Sequence, residues 1–310
     1  MSVDQPRNLA ASVRQRLLNI SKRDGEAFDL VLTRYTLERL LYRLGKSPYH
    51  NQFLLKGAML FAAWDGAPHR PTRDLDLLGF GPNDLSEVQG TFQKICQESV
   101  EPDGLEFLPD TVRVTEIRED QEYQGVRVLF DAKLENAIIP IQVDIGYGDA
   151  VTPAPLEITY PTMLDFPAPK LRAYPFYTVV AEKFHAMVWL GIANSRMKDF
   201  YDLWAIMRKF EFDGATLAKA IRATFERRNT PTPAEAPLAL TQAFASDATK
   251  QTQWKAFLRK NALSADDLTL TVVIAALHDF LMPPTLADAH DPNFKAAWPA
   301  GGPWQIRTQQ

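Results

Sequence analysis

Cysteine, histidine and long apolar runs are scarce in this chain, and each scarcity removes a class of protein. A single cysteine, Cys96, in 310 residues excludes an internal disulfide framework and cannot by itself build a thiolate metal site. Five histidines without H-E-x-x-H spacing provide no zinc signature, and neither G-x-S-x-G nor G-x-x-x-x-G-K-[ST] occurs. No stretch approaches the length of a membrane span. Met1 to Lys22 interleaves Arg7, Arg14, Arg16 and Lys22 with apolar residues and lacks the unbroken apolar run of a signal peptide. A cytoplasmic chain without membrane contact is the expectation. The formal charge of −4 excludes a strongly basic nucleic-acid binder at the whole-chain level, although local Lys and Arg clusters can still grip phosphates.

What is present is 46% hydrophobic residues, enough for a sizeable core, and a length that fits two domains or one with a large extension. Residues 8–44 carry two helical patterns. In the second, Phe28, Val31, Leu32, Tyr35, Leu40, Leu41 and Leu44 follow the 3.6 period, with Gly45 placed to stop it. Phe53-Leu54-Leu55 then leads through Lys56-Gly57-Ala58 and a helix-like run to Trp64, into a strand at Asp74. Residues 84–98 read as a helix, and 111–117, 126–132 and 138–145 as strands. In the last of these, Ile139, Ile141, Val143 and Ile145 share one face, and Gln142 and Asp144 the other. A Pro-rich passage from Pro153 to Pro175 reads as a connection to a different architecture. Helices are expected beyond it at 177–191, 196–210, 214–228, 250–260 and 264–282. From Pro283 the tail is rich in Pro, Gly and Asp, with Trp298 and Trp304 as anchors.

The run from His69 to Leu78 carries the chemistry. Asp74 and Asp76 stand two apart on a strand and so point to one face, where two like charges need compensation. A divalent cation such as Mg²⁺, held by carboxylates and substrate phosphates, supplies it; exposed pairing with Arg70 and Arg73 is the alternative. Asp144, on a later strand, is a candidate third metal ligand or a solvated strand-end acid. The small pair Gly57-Ala58 after Lys56 either admits a phosphate to backbone amides or simply makes a tight turn. Lys183 offers a point charge to a triphosphate, or pairs with Glu182 or an acid elsewhere. Arg196 with Asp199 and Lys198 with Asp202 fit intrahelical ion pairs beside the apolar Phe200, Leu203 and Trp204. His185 reads as a packing residue or a support behind the site, and Cys96 as a core residue of the helix at 84–98.

Taken together, Leu55-Lys56-Gly57-Ala58, Arg70-x-Thr72-x-Asp74-Leu75-Asp76, Glu182-Lys183 and Arg196-x-Lys198-Asp199-x-x-Asp202-Leu203 resemble the AbiEii/AbiGii-type toxins of bacterial toxin–antitoxin and phage-defence systems. That family lies in the nucleotidyltransferase superfamily of DNA polymerase beta. The resemblance implies an α+β fold, with a small mixed sheet flanked by helices followed by an all-helical domain that closes the nucleotide cleft. The expected divisions are 1–165 for N-terminal helices and core, 166–285 for the helical domain and 286–310 for an irregular tail. It further implies that Asp74 and Asp76 bind Mg²⁺ or Mn²⁺, with Asp144 matching the superfamily's third acid by position only. Lys183 then contacts the nucleotide phosphates, joined by Lys56, Gly57, Ala58, Arg70, Thr72, Arg196 and Lys198, and Asp199 and Asp202 complete the catalytic site, with Asp144 or one of these two filling the metal shell or acting as general base. Ala58 departs from the usual Gly-Gly or Gly-Ser, so a phosphate-binding hydroxyl is absent.

The expected activity is metal-dependent transfer of a nucleotide from an NTP to an RNA acceptor, with tRNA the first choice and a cognate antitoxin as partner. Transfer onto a protein side chain and a non-catalytic nucleotide-binding module are the alternatives.

Overall fold

Apolar residues at helical and at alternating spacing build the first part of the chain: α1 (Leu9–Asp24), α2 (Phe28–Lys46), β1 (Phe53–Lys56), α3 (Leu60–Asp65), β2 (Asp74–Gly79), α4 (Leu85–Cys96), β3 (Leu105–Glu119), β4 (Tyr123–Leu134), β5 (Ala137–Tyr147), β6 (Leu156–Thr159) and β7 (Lys170–Ala173). The computed structural model describes residues 8–66, 70–119, 123–263, 268–287 and 294–306. Arg7, His69 and residues 264–267 of the last expected helix lie outside the described residues. The chain divides into two units, Met1–Gly148 with Leu156–Ala173, and Asp149–Pro155 with Tyr174–Gln310.

In the first unit seven strands form one mixed sheet in the order β3-β4-β5-β2-β1-β7-β6. β2 runs antiparallel to β1 and parallel to β5, and β3, β4 and β5 form an antiparallel meander. Alternation sorts the two faces. Leu55, Leu75, Leu77, Val128 and Val143 are fully buried on one face, where Phe92 of α4 meets Phe53 and Phe130. Each such side chain contributes about 1.5–3 kcal/mol on burial. The opposite face is left to Asp74, Asp76, Gln142 and Asp144.

Three features depart from the sequence reading. Gly45 does not stop α2, which continues to Lys46; a Cβ on Gly45 would overlap the carbonyl oxygen of Lys170, so the glycine instead admits the backbone of β7. The Pro-rich passage is more than a connection, since β6 and β7 within it extend the sheet beside β1 and carry the first unit to Ala173 rather than 165. Finally, α2 buries charge as well as apolar surface. Asp103 accepts hydrogen bonds from Arg39 Nε at 3.0 Å and Arg43 Nη1 at 2.7 Å, while Glu38 accepts the Met163 N–H at 2.7 Å. Asp103 thus meets both guanidinium groups, the pairing under which buried ions are tolerated.

The second unit comprises α5 (Phe176–Leu190), α6 (Met197–Lys209), β8 (Phe212–Asp213), α7 (Gly214–Arg227), α8 (Gln242–Ser246), α9 (Ala248–Lys260), α10 (Leu270–Leu286), β9 (Ala296–Trp298) and β10 (Gln305–Ile306). It is helical with one addition, a three-stranded sheet in the order β10-β9-β8 that gives regular structure to a tail expected to be irregular. Pro283 and Pro284 do not end α10. Pro284 has no N–H to offer the carbonyl of Phe280 four residues earlier, and Trp304 Nε1 donates to that oxygen at 2.9 Å instead. The two expected tryptophan anchors both reach Phe280, with ring centroids 5.0 Å away for Trp298 and 6.0 Å for Trp304.

Candidate active site

Strand register brings three carboxylates together on the open face of the sheet. Asp76 pairs with Asp144 across the parallel β2–β5 ladder, and Asp74 lies two residues earlier on the same face. One oxygen from each of Asp74, Asp76 and Asp144 lies within 4.8 Å of the others, and all three residues are half-buried. Thr72 Oγ1 donates to Asp74 Oδ1 at 2.6 Å and so orients that carboxylate. Arg73 points away to Asp29, at 2.6 Å, rather than neutralising the pair. Arg70 reaches the carbonyl of its neighbour Pro71 at 3.4 Å.

Two cations face these acids across the ladders. Lys56 stands opposite Asp76 in the β1–β2 register, and Arg127 opposite Asp144 in the β4–β5 register. Arg127 forms a bidentate pair with Asp144, Nε–Oδ1 and Nη2–Oδ2 both 2.8 Å, while Gln142 Nε2 donates to Oδ2 at 3.0 Å. Gln142 shares the face of Asp144 in the sequence pattern, whereas Arg127 is not among the residues that pattern names. The alternation Val126-Arg127-Val128 could have placed Arg127 on the open face, but its pairing with Asp144 follows only from the register.

Gly57 is required here. Its φ is +74°, and a Cβ would overlap the Asp76 carboxylate. Gly57 thus serves the acid pair directly, whereas Ala58 is buried. Three carboxylates offer only hard oxygen donors in a space a side chain at position 57 would fill. That donor set fits Mg²⁺ or Mn²⁺ and disfavours softer ions.

In the second unit, α5 and α6 assemble the other predicted group. Lys183 Nζ lies 2.7 Å from Asp199 Oδ1 and 2.8 Å from Asp202 Oδ2, and Arg196 Nε lies 2.7 Å from Asp199 Oδ2. Both aspartates are fully buried, whereas Arg196 is 41% exposed. Asp199 sits in the first turn of α6, where the helix dipole favours its charge. Burial alone would raise its pKa, but Lys183 and Arg196 outweigh it and hold the carboxyl below its ordinary value. The Arg196–Asp199 pair has the expected spacing. The Lys198–Asp202 pair does not form; Asp202 turns inward to Lys183, and Lys198 is exposed with no ion pair among the described residues.

His185 and Cys96 are packing residues. Burial and the neighbouring Arg228 push His185 down to about 4, leaving Nδ1 to accept from Arg228 at 3.2 Å and Nε2–H to donate to Thr230 Oγ1 at 2.8 Å. Burial raises the Cys96 thiol to about 12, far from a nucleophile's range. Among the described residues no helix is long and apolar enough to cross a membrane.

A search of curated proteins found no match. Among solved structures, the chain is similar to JHP933 from Helicobacter pylori, with 15% identity, a TM-score of 0.43 and coverage of 79% of this chain and 90% of that one. It is also similar to a second H. pylori chain provisionally described as a nucleotidyltransferase, with 14% identity, a TM-score of 0.43 and coverage of 81% and 95%. The model of the nucleotidyl transferase AbiEii toxin family, of type IV toxin–antitoxin systems, matches residues 39–296. That match spans both units, and the chain belongs to the AbiEii family of nucleotidyl transferase toxins.

Proposed function

We propose that this nucleotidyltransferase moves a nucleotide from an NTP to a hydroxyl of RNA, with tRNA as the acceptor, in a reaction that depends on a divalent cation. The observation that carries the metal dependence is the register-matched cluster of Asp74, Asp76 and Asp144. These three side chains would hold Mg²⁺ or Mn²⁺, which when bound polarises the α-phosphate and makes an adjacent hydroxyl more acidic.

The remaining roles fall to the chain's own residues. The acceptor oxygen forms a bond to the α-phosphorus, the bond from that phosphorus to the bridging oxygen breaks, and pyrophosphate leaves. The acceptor's proton passes to one of the three carboxylates. Lys183 and Arg196 provide positive charge for the triphosphate and the departing pyrophosphate. Buried beneath them, Asp199 and Asp202 hold Lys183 in place rather than meeting the substrate. Thr72 and Arg127 orient Asp74 and Asp144. Family membership implies an antitoxin partner.

Incubation with each α-labelled NTP, Mg²⁺ and total tRNA tests the reading. Labelled RNA that disappears in Asp74→Ala is the expected result. Label on protein instead would select the side-chain acceptor, which the acidic net charge favours. Label surviving Asp74→Ala would refute the assigned site.

A further inference from the structure

We propose that Lys250 is a positioning residue for the Lys183–Arg196 cation pair, an inference that rests on the phosphate-binding role given to that pair above. Lys250 lies in the first turn of α9 and is only 5% exposed. Its ammonium donates to the carbonyl oxygen of Asn194 at 2.9 Å and to Gln253 Oε1 at 3.4 Å, and it lies 5.4 Å from the Phe244 ring centroid. Every one of these partners is neutral, and among the described residues no carboxylate pairs with it. An interior ammonium without a counter-ion is costly, and an apolar side chain of similar length would serve packing better. The structure therefore gives Lys250 a task other than filling space.

That task is visible in what the ammonium holds. Asn194 is fully buried at the end of the turn that leads into α6. Its side-chain oxygen accepts the Arg196 N–H at 2.8 Å. Arg196 binds Asp199, and Asp199 binds Lys183. A continuous run of hydrogen bonds thus leads from α9 through the 194–196 turn and α6 to the ammonium on α5. Removing the charge at position 250 frees the Asn194 carbonyl, and the start of α6 can shift. Displacements of about 1 Å in such supports are enough to cost a site much of its function.

Titration calorimetry of the full chain with each of the four NTPs in Mg²⁺ tests this, alongside melting temperatures. Lys250→Met is expected to weaken NTP binding at least tenfold and Lys250→Arg to recover it to within threefold. Trp254→Phe, on the same helix, loses the indole bond to the Leu268 carbonyl and part of a buried ring, with no link to Asn194; it should lower the melting temperature and leave affinity unchanged. If Lys250→Met does not fold, Lys250→Ala, which likewise removes the donor to the Asn194 carbonyl but places no longer side chain in the interior, carries the comparison. Wild-type affinity in the uncharged variant, or an equal loss in Trp254→Phe, overturns the positioning role. Lys183→Ala separates the two claims. Unchanged affinity there defeats the phosphate reading itself, whereas lost affinity there with none lost at Lys250 defeats only this inference.

Discussion

Replacing Gly57 by alanine isolates the geometric demand of the acid cluster from ordinary backbone strain. Gly57 has φ +74°, and an added Cβ falls on the Asp76 carboxylate. Two costs follow. An L-residue in that left-handed conformation loses about 1–2 kcal/mol of stability. Beyond that, the carboxylate must move by roughly 1 Å or more to clear the methyl group, a misplacement that typically costs about 10²-fold in rate. Gly25→Ala is the internal control, because Gly25 has φ +66° with nothing within 4 Å of a built Cβ. Both variants should lose stability in urea denaturation, Gly57→Ala the more because of its overlap with Asp76, and only Gly57→Ala should lose about two orders of magnitude in kcat/KM for nucleotide transfer. Gly57→Ala turning over within threefold of wild type would refute the reasoning, as would an equal activity loss in Gly25→Ala.

Further outcomes follow from the buried charges. Asp199→Asn leaves Lys183 and Arg196 without their shared carboxylate at a fully buried position, which should cost about 3 kcal/mol; a loss under about 1 kcal/mol in chemical denaturation would contradict the pairing. His185, desolvated and next to Arg228, has its pKa lowered to about 4. Between that value and the ordinary 6.5 the unfolded chain binds a proton that the folded chain does not, so this contribution to stability is lost as pH falls through the window. Glu38 acts in the opposite sense. Burial raises it to about 7 from 4.5, so its contribution is lost as pH rises from 4.5 through 7. The two windows overlap and their slopes oppose, so urea denaturation across pH 4–7.5 should show stability falling more steeply with pH in His185→Asn than in the wild type and rising more steeply in Glu38→Gln; an unchanged slope in either variant would refute its assignment.

The sequence was most informative where side-chain periodicity alone determines burial. The alternation in 138–145 placed Val143 inside and Asp144 on the open face, and the 3.6 period found α2 and the longer helices of the second unit, though not the five-residue α8. It was silent where distant segments meet. Asp144 joins Asp76 because β5 pairs with β2 in one register, and Arg127 finds Asp144 through another; single-strand patterns carry neither fact. The burial of Arg39 and Arg43 in α2 has no signal in residue spacing, since Asp103, their compensating partner, lies far along the chain. β6 and β7 were hidden for a different reason: four-residue strands between prolines offer too few positions for alternation to register. Lys250 escaped notice because its partners are a backbone carbonyl, an amide and a ring, none with a signature in residue spacing.

The central claim is that Asp74, Asp76 and Asp144 together hold the divalent cation needed for transfer. Counting bound Mn²⁺ by electron paramagnetic resonance, with NTP present, in the wild type and in Asp76→Asn tests it most directly. The account predicts bound Mn²⁺ in the wild type and at least a tenfold loss of affinity in the variant. Equal Mn²⁺ binding by the two proteins would contradict it.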